Sequence, residues 1–329
     1  MKIAWHKTYA HPLPENHKFP MKKYNLIKEE LLSRKIANEK DFLSPNMIIE
    51  DFILLTHSPE YWNKLNNLKL TPKELRVTGF PQEQAIIDRE RYIMEGTKEL
   101  SIYALEGHIG LNIAGGTHHS FTNKGEGFCL LNDHAIATNY LIENKLAKKV
   151  LILDLDVHQG NGTAEIFRDK TIKYNSNVFT FSMHGKNNYP LLKEKSDLDI
   201  ELEDRTDDNT YISLLREYLK NTIENFKPDF IQYQAGVDIL ATDKFGKLAI
   251  SLNGCKIRDE VVFETAYNYQ IPIVCTMGGG YSPDINDIIE AHLNTFQIAK
   301  YIFGWLANNI KKGRVFKLCL LIFCIIFRN

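Results

Sequence analysis

The chain has 329 residues, of which 44% are hydrophobic, 11% aromatic and 25% charged, the composition of a soluble globular protein with enough apolar material for a large core. Lys and Arg number 40 against 41 Asp and Glu, a formal charge of -1, so nothing in the overall balance points to a nucleic-acid binder driven by phosphate contacts, which leaves room only for a local basic patch. The length suits one α/β domain or two, and one is expected, because no repeat, linker or shift in composition marks a boundary.

The cysteines Cys129, Cys255, Cys275, Cys319 and Cys324 are odd in number, widely spread and without a C-x-x-C pair. That argues against a disulfide framework and against a thiolate zinc site, and a reducing cytoplasm is the expected location. The first twenty residues hold no apolar stretch of the kind a secretory signal needs, so the mature chain is expected to begin near Met1. At the other end, residues 307–329 form a basic then apolar tail of unknown role, distinct from an expected catalytic unit at 1–306. Its apolar run, Leu318 to Phe327, is half of the ~20 residues that span a bilayer, so membrane contact is not expected.

In chain order, the first hundred residues read as helix and loop, with turns at Pro12, Pro14, Ser58-Pro59 and Thr71-Pro72. Short apolar, β-branched runs follow at Ile109 to Ala114, Val150 to Leu155, Val178 to Ser182, Asp229 to Gln234 and Ile271 to Thr276. Segments of helical period separate them, among them Asn132 to Asn144 with Asn132 and Asp133 as caps, Asn209 to Phe226 before Pro228, and Ile285 to Leu306. This alternation predicts a parallel sheet covered by helices on both faces. Each run is followed by residues fit for chemistry: GGTHHS, DLDVHQGNG, MHG, AGVD and MGGGYSP. In parallel sheets the carboxyl edge is where ligands bind, so five segments point at one site.

Asp154, Asp156 and His158 alternate where a strand gives way to its loop, so their side chains leave on one side. A D-x-H pair with a distant carboxylate suits Zn²⁺ with a fourth position open to water, and Asp238 is the natural third ligand. Taken alone, D-x-H reads equally well as a capped surface turn; the apolar strand that leads into it tips the balance, since unpaired buried carboxylates are costly. His118 and His119 can face one site because Gly115 and Gly116 permit a sharp bend, and a neutral imidazole there can take a proton from water near pH 7. The GGGY segment lacks the spacing and the Lys-Ser/Thr of a phosphate loop, and it is better suited to presenting the Tyr281 phenol to a developing oxyanion.

These segments resemble the histone deacetylase family. The matching stretches are NHKFPMKKY (16–24), HSPEYW (57–62), GGTHHSFTNKGEGFCLLND (115–133), DLDVHQGNGT (154–163), FTFSMH (179–184), QAGVD (234–238) and GGGY (278–281), and the likeness spans about residues 1–306. The compact lead-in and GTHHSF are similar to bacterial and class IV-like members. The resemblance implies a single-domain arginase-deacetylase fold with a parallel sheet of about eight strands. It also implies zinc on Asp156, His158 and Asp238, His118 and His119 as electrostatic and acid-base pair, and Tyr281 polarising the scissile carbonyl. Phe128 and Tyr189 would wall a channel for the lysine stem, and Gly127 would offer a carbonyl to the substrate amide. Asp154, Ser182 and the main-chain oxygen of Met183 would form the family's potassium site.

Two departures matter. Class I members pair the second histidine with an aspartate, whereas this chain has Asn161, which should leave His119 less basic. Residues 65–79 hold no match to the acidic rim residue that clamps the substrate backbone in many members. The expected substrate is an acyl-lysine in a protein or peptide. An acetylpolyamine or other small acyl amine is the alternative, and a non-catalytic acyl-lysine binding module or a dinuclear arginase-like hydrolase are the readings from other classes.

Overall fold

A computed structural model describes residues 1–15, 17–172 and 174–306; the apolar run of the tail lies outside the described residues. One sheet contains eight strands: β1 (Lys2–Ala4), β2 (Phe42–Leu43), β3 (Ile109–Asn112), β4 (Val150–Asp154), β5 (Val178–Gly185), β6 (Leu198–Leu202), β7 (Phe230–Gln234) and β8 (Ile273–Thr276). Their order is β2-β1-β3-β8-β7-β4-β5-β6, and every neighbouring pair is parallel. The doubly covered α/β architecture expected from the alternating pattern is therefore present.

The central strands are buried along their whole length, which is why they read as unbroken apolar runs rather than alternating ones. Alternation reappears in where the side chains go. Leu151 and Leu153 of β4 join one apolar cluster, while Val150 and Ile152 join the other, because successive residues leave a strand on opposite faces. Both layers are roofed by helices. Helix Asp208–Phe226 starts one residue before the predicted Asn209, capped by Asp207 on the Thr210 amide, and ends where Lys227 turns left-handed ahead of Pro228. The predicted helix from Ile285 runs to Lys300 and continues as one wider turn over Tyr301–Leu306.

Strands β1, β2 and β6 have no counterpart among the predicted runs. The first two are three and two residues long. β6 lies at the sheet edge as LDIEL, whose charged residues interrupt the apolar signal. The cap assignment at Asn132 to Asn144 also needs correcting. Asn132 alone caps that helix, accepting from the Ala135 amide, and Asp133 points away into the loop that carries His118 and His119.

Candidate metal and catalytic site

Since all strands run the same way, the loops after β3, β4, β7 and β8 emerge side by side at one edge, and they deliver the predicted residues to one place. Asp156 and His158 follow β4, and Asp238 follows β7, the strand paired with it in register. One ligand atom from each lies within 4.8 Å of the others. His158 Nδ1 is 3.1 Å from Asp156 Oδ1 and 3.1 Å from Asp238 Oδ2, so one imidazole sits between two buried carboxylates.

That arrangement is costly unless a cation occupies it. Burial, with Asp156 opposite, pushes the Asp238 carboxyl up to about 7. Burial would lower His158, but its hydrogen bonds to Asp156 and Asp238 win and push it up to about 10. Two carboxylates and one imidazole converging in a buried pocket are the donor set of a divalent site with room for a further ligand, so these residues fit zinc.

Backbone groups hold the carboxylates in place. Asp156 Oδ2 accepts from the Gly279 amide at 2.7 Å, and Asp238 Oδ1 from the Val157 amide at 3.0 Å. Gly279 is required by space, since a Cβ there would lie 1.9 Å from Asp238 Oδ2. Gly279→Ala should therefore weaken metal binding by roughly 10–100-fold, the cost of disturbing a ligand's support, with the far-ultraviolet circular dichroism unchanged. Unaltered metal affinity would show that the loop has room to retreat.

The two histidine rings lie with centroids 4.0 Å apart, tilted at 46°, but stand in opposite electrostatic settings. His118 Nδ1–H donates to Asp154 Oδ2 at 2.6 Å; burial opposes its charge, and Asp154 with Asp156 outweighs burial, so its pKa is raised. His119 Nδ1–H donates to the Asn161 amide oxygen at 2.6 Å, which leaves Nε2 with its lone pair. Burial, then the neighbouring His118 and His158, hold His119 well below the usual imidazole value, and Asn161 offsets only part of this. The two settings therefore push apart, His119 toward the neutral imidazole and His118 toward the charged one.

Asn161→Asp should reverse part of that difference. A carboxylate against Nδ1 favours imidazolium and raises the His119 pKa by about one unit or more. A base works deprotonated, so the acid limb of the kcat/KM profile should move to higher pH by that amount. An unmoved limb would remove His119 from the proton transfer.

Tyr281 leaves the glycine loop with its ring between Phe128 (centroids 6.2 Å) and Phe245 (5.1 Å) and stands roughly perpendicular to the His158 ring, centroids 6.5 Å apart. Its amide donates to Asp243 Oδ2 at 2.6 Å. Burial, with Asp238 and Asp156 nearby, pushes the phenol well above its usual value, so it stays a neutral donor. Phe128 stands in the left-handed region at φ 65°, following Gly127, which packs against the His119 ring. Tyr189 stands edge-on to His119, centroids 5.0 Å apart, and donates to Glu126 Oε2 at 2.7 Å. Phe128, Tyr189, Phe245 and Tyr281 line a cleft of about 330 Å³ that leads down to His119 and His158. Asp154 lies beside Ser182 in the β4–β5 register, with Met183 next, so the residues named for potassium are also adjacent. The Ser182 hydroxyl also bonds His184 Nδ1 at 2.9 Å.

Three supports escaped sequence reasoning. Asp133 accepts from the Gly116 and Thr117 amides, at 3.0 and 2.9 Å, and so folds the turn that carries both histidines. Lys23, fully buried, donates to the Gly278 carbonyl at 3.1 Å; burial lowers it to about 8. Arg258 donates to the Gly236 carbonyl and, at 2.9 Å, to Asp259, bracing the turn before Asp238. Only Arg258 and Asp259 left a trace in the sequence, as adjacent opposite charges inside a helix that is otherwise buried at those positions.

Comparison with known proteins agrees with this geometry. The family model for the histone deacetylase domain matches residues 17–296, and the chain belongs to that family. It is 38% identical over 301 residues to an uncharacterized protein of Picosynechococcus sp., covering 92% of this chain and 99% of that one. It is 31% identical over 277 residues to histone deacetylase 2 of Arabidopsis thaliana, covering 80% of this chain and 70% of the relative. Among solved structures it is similar to the HDA15 HD domain, with a TM-score of 0.77, 18% identity and 96% of each chain covered, a likeness of fold. The arginase-deacetylase fold expected from the resemblance is therefore present.

Proposed function

We propose that the protein is a zinc-dependent deacylase that removes acetyl or other acyl groups from lysine side chains by hydrolysis. The observation that carries this reading is the buried Asp156, His158 and Asp238 trio facing a neutral His119 and a neutral Tyr281 at the foot of an aromatic cleft. Zinc on the trio would supply Lewis-acid polarisation of the acyl carbonyl and lower the pKa of water.

The chain's own groups do the rest. Phe128 and Tyr189 flank the methylene stem and keep bulk water from the amide, while the Gly127 carbonyl accepts from the substrate N–H. His119 Nε2 takes the proton of the attacking water, because its lone pair is free and burial keeps it uncharged. The Tyr281 hydroxyl donates to the carbonyl oxygen as it gains charge. His118, whose protonated form Asp154 favours, stabilises that charge and can protonate the departing amine. A potassium ion on Asp154, Ser182 and the Met183 carbonyl belongs to the same reading, as does a reducing cytoplasm, where the buried thiols of Cys129, Cys255 and Cys275 stay free.

Metal analysis joined to an acyl-length series tests the proposal. About one zinc per chain is expected, with hydrolysis of an acetyl-lysine peptide, and N-acetylputrescine separates the small acyl-amine alternative. Two tightly held metals would favour a dinuclear hydrolase, and zinc-loaded protein that binds acyl-lysine without cleaving it would favour a binding module.

A further inference from the structure

The formal charge of the whole chain is -1, yet the mouth of the cleft is basic. Lys18 and Lys247 both line it, from the loop before the first helix and the loop after β7, and both are exposed. Neither has a carboxylate partner among the described residues; Lys247 Nζ donates to the Asn187 carbonyl at 2.9 Å. Lys244, also exposed, stands 6.0 Å from the ring of Phe245, which lines the same cleft.

The carboxylates near the mouth are already engaged. Glu126 accepts from Lys124 at 2.9 Å and from the Tyr189 hydroxyl at 2.7 Å. Asp243 accepts from the amides of Phe245 and Gly246 at 2.8 Å each and of Tyr281 at 2.6 Å. Deeper in, Asp156 and Asp238 would be balanced by a divalent ion on the trio. Asp204, which accepts from Asn187 Nδ2 at 3.3 Å, and Asp243 keep their charge, but with Lys18, Lys244 and Lys247 exposed around them an arriving substrate meets an excess of positive charge first.

We infer that the mouth selects an acyl-lysine with a carboxylate close to it and rejects an acyl amine that carries further ammonium groups. This rests on the deacylase reading and narrows it: acidic acyl-lysine sequences, or an acyl-lysine with a free α-carboxylate, are favoured over acetylpolyamines. Lys18 and Lys247 are specificity residues that touch the substrate outside the reacting bond. Exposed pairs of this kind change affinity by only a few-fold each, and salt screens them within ~8 Å at 0.15 M.

The test uses the zinc-loaded full chain and five substrates: acetyl-lysine peptides flanked by glutamate, by glutamine or by lysine, a peptide ending in acetyl-lysine with a free carboxylate, and N-acetylputrescine. At low salt kcat/KM should favour the glutamate peptide over the lysine peptide by about tenfold, a ratio that falls toward unity near 0.5 M salt. A gain confined to the free-carboxylate peptide would assign the preference to the α-carboxylate rather than to acidic neighbours. Lys18→Glu/Lys247→Glu should invert the ranking, and Lys18→Gln/Lys247→Gln should level it. Fluorescence anisotropy of the same peptides reads the ranking without turnover. Protein that binds glutamate peptides best but cleaves nothing would refute the hydrolase reading and keep this one. Equal binding and equal kcat/KM across the series, or a ranking unmoved in the Glu variant, would overturn it.

Discussion

Asp238→Ala is expected to abolish zinc retention and, with it, hydrolysis. The site offers three groups able to ligate a metal, so losing one leaves Asp156 and His158 alone, and the drop in affinity should exceed the ~10–100-fold seen when only an outer partner is lost. Asp238→Asn separates charge from shape, since the amide oxygen can still accept from Val157 while the negative charge is gone. It should also fail to hold metal. The wild-type protein should show a characteristic pH dependence. Without metal, burial beside Asp156 pushes Asp238 up to about 7 and the hydrogen bonds to Asp156 and Asp238 push His158 up to about 10, so the cluster holds protons that must leave when a cation binds. Affinity should therefore rise with pH through this range, and loading should release protons, measurable by calorimetry in buffers of different ionisation enthalpy. Metal held undiminished by the Ala variant would show that Asp238 is not a ligand, and affinity flat between about pH 6 and 8 would show that no proton is displaced there.

Tyr281→Phe should lower kcat by about 10²- to 10³-fold while zinc content and KM barely change, because the hydroxyl acts on charge that develops only in the transition state. The structure supports treating the hydroxyl apart from the ring. The ring packs among Phe19, Phe128 and Phe245, contacts a phenylalanine keeps, and the backbone is tied separately through the Tyr281 amide to Asp243. Burial near Asp238 and Asp156 keeps the phenol protonated, so the loss should be constant across the pH range rather than a shifted profile. If Tyr281 served packing alone, the variant would lose melting temperature and keep its rate. A stable, metal-replete variant with wild-type kcat would take the residue out of the mechanism.

Much of this site was legible in the chain because its groups sit next to strong local signals. The run ILDLD names a buried strand ending in carboxylates, and Gly115-Gly116 before His118-His119 names a bend; neither needs knowledge of distant residues. Asn161 was legible as a departure, and in the fold its amide oxygen accepts from His119 Nδ1. The rest depends on partners far apart in sequence. Lys2–Ala4 is a strand only because it pairs with β3 more than a hundred residues on, and two or three residues carry no period of their own. Asp133 looked like a cap because first-turn acids usually are, yet its backbone amide partners lie 16 and 17 residues upstream. Which ligand is hard to ionise, and which histidine is neutral, follows from burial and from charges brought together by different loops. What the sequence by itself determined was the inventory of reacting groups and the strands that carry them, since residue identity and apolar period are local properties. The electrostatic role of each group, and the uncompensated lysines at the mouth, were decided only by the tertiary structure, because charge interactions depend on distances that the chain acquires when it folds.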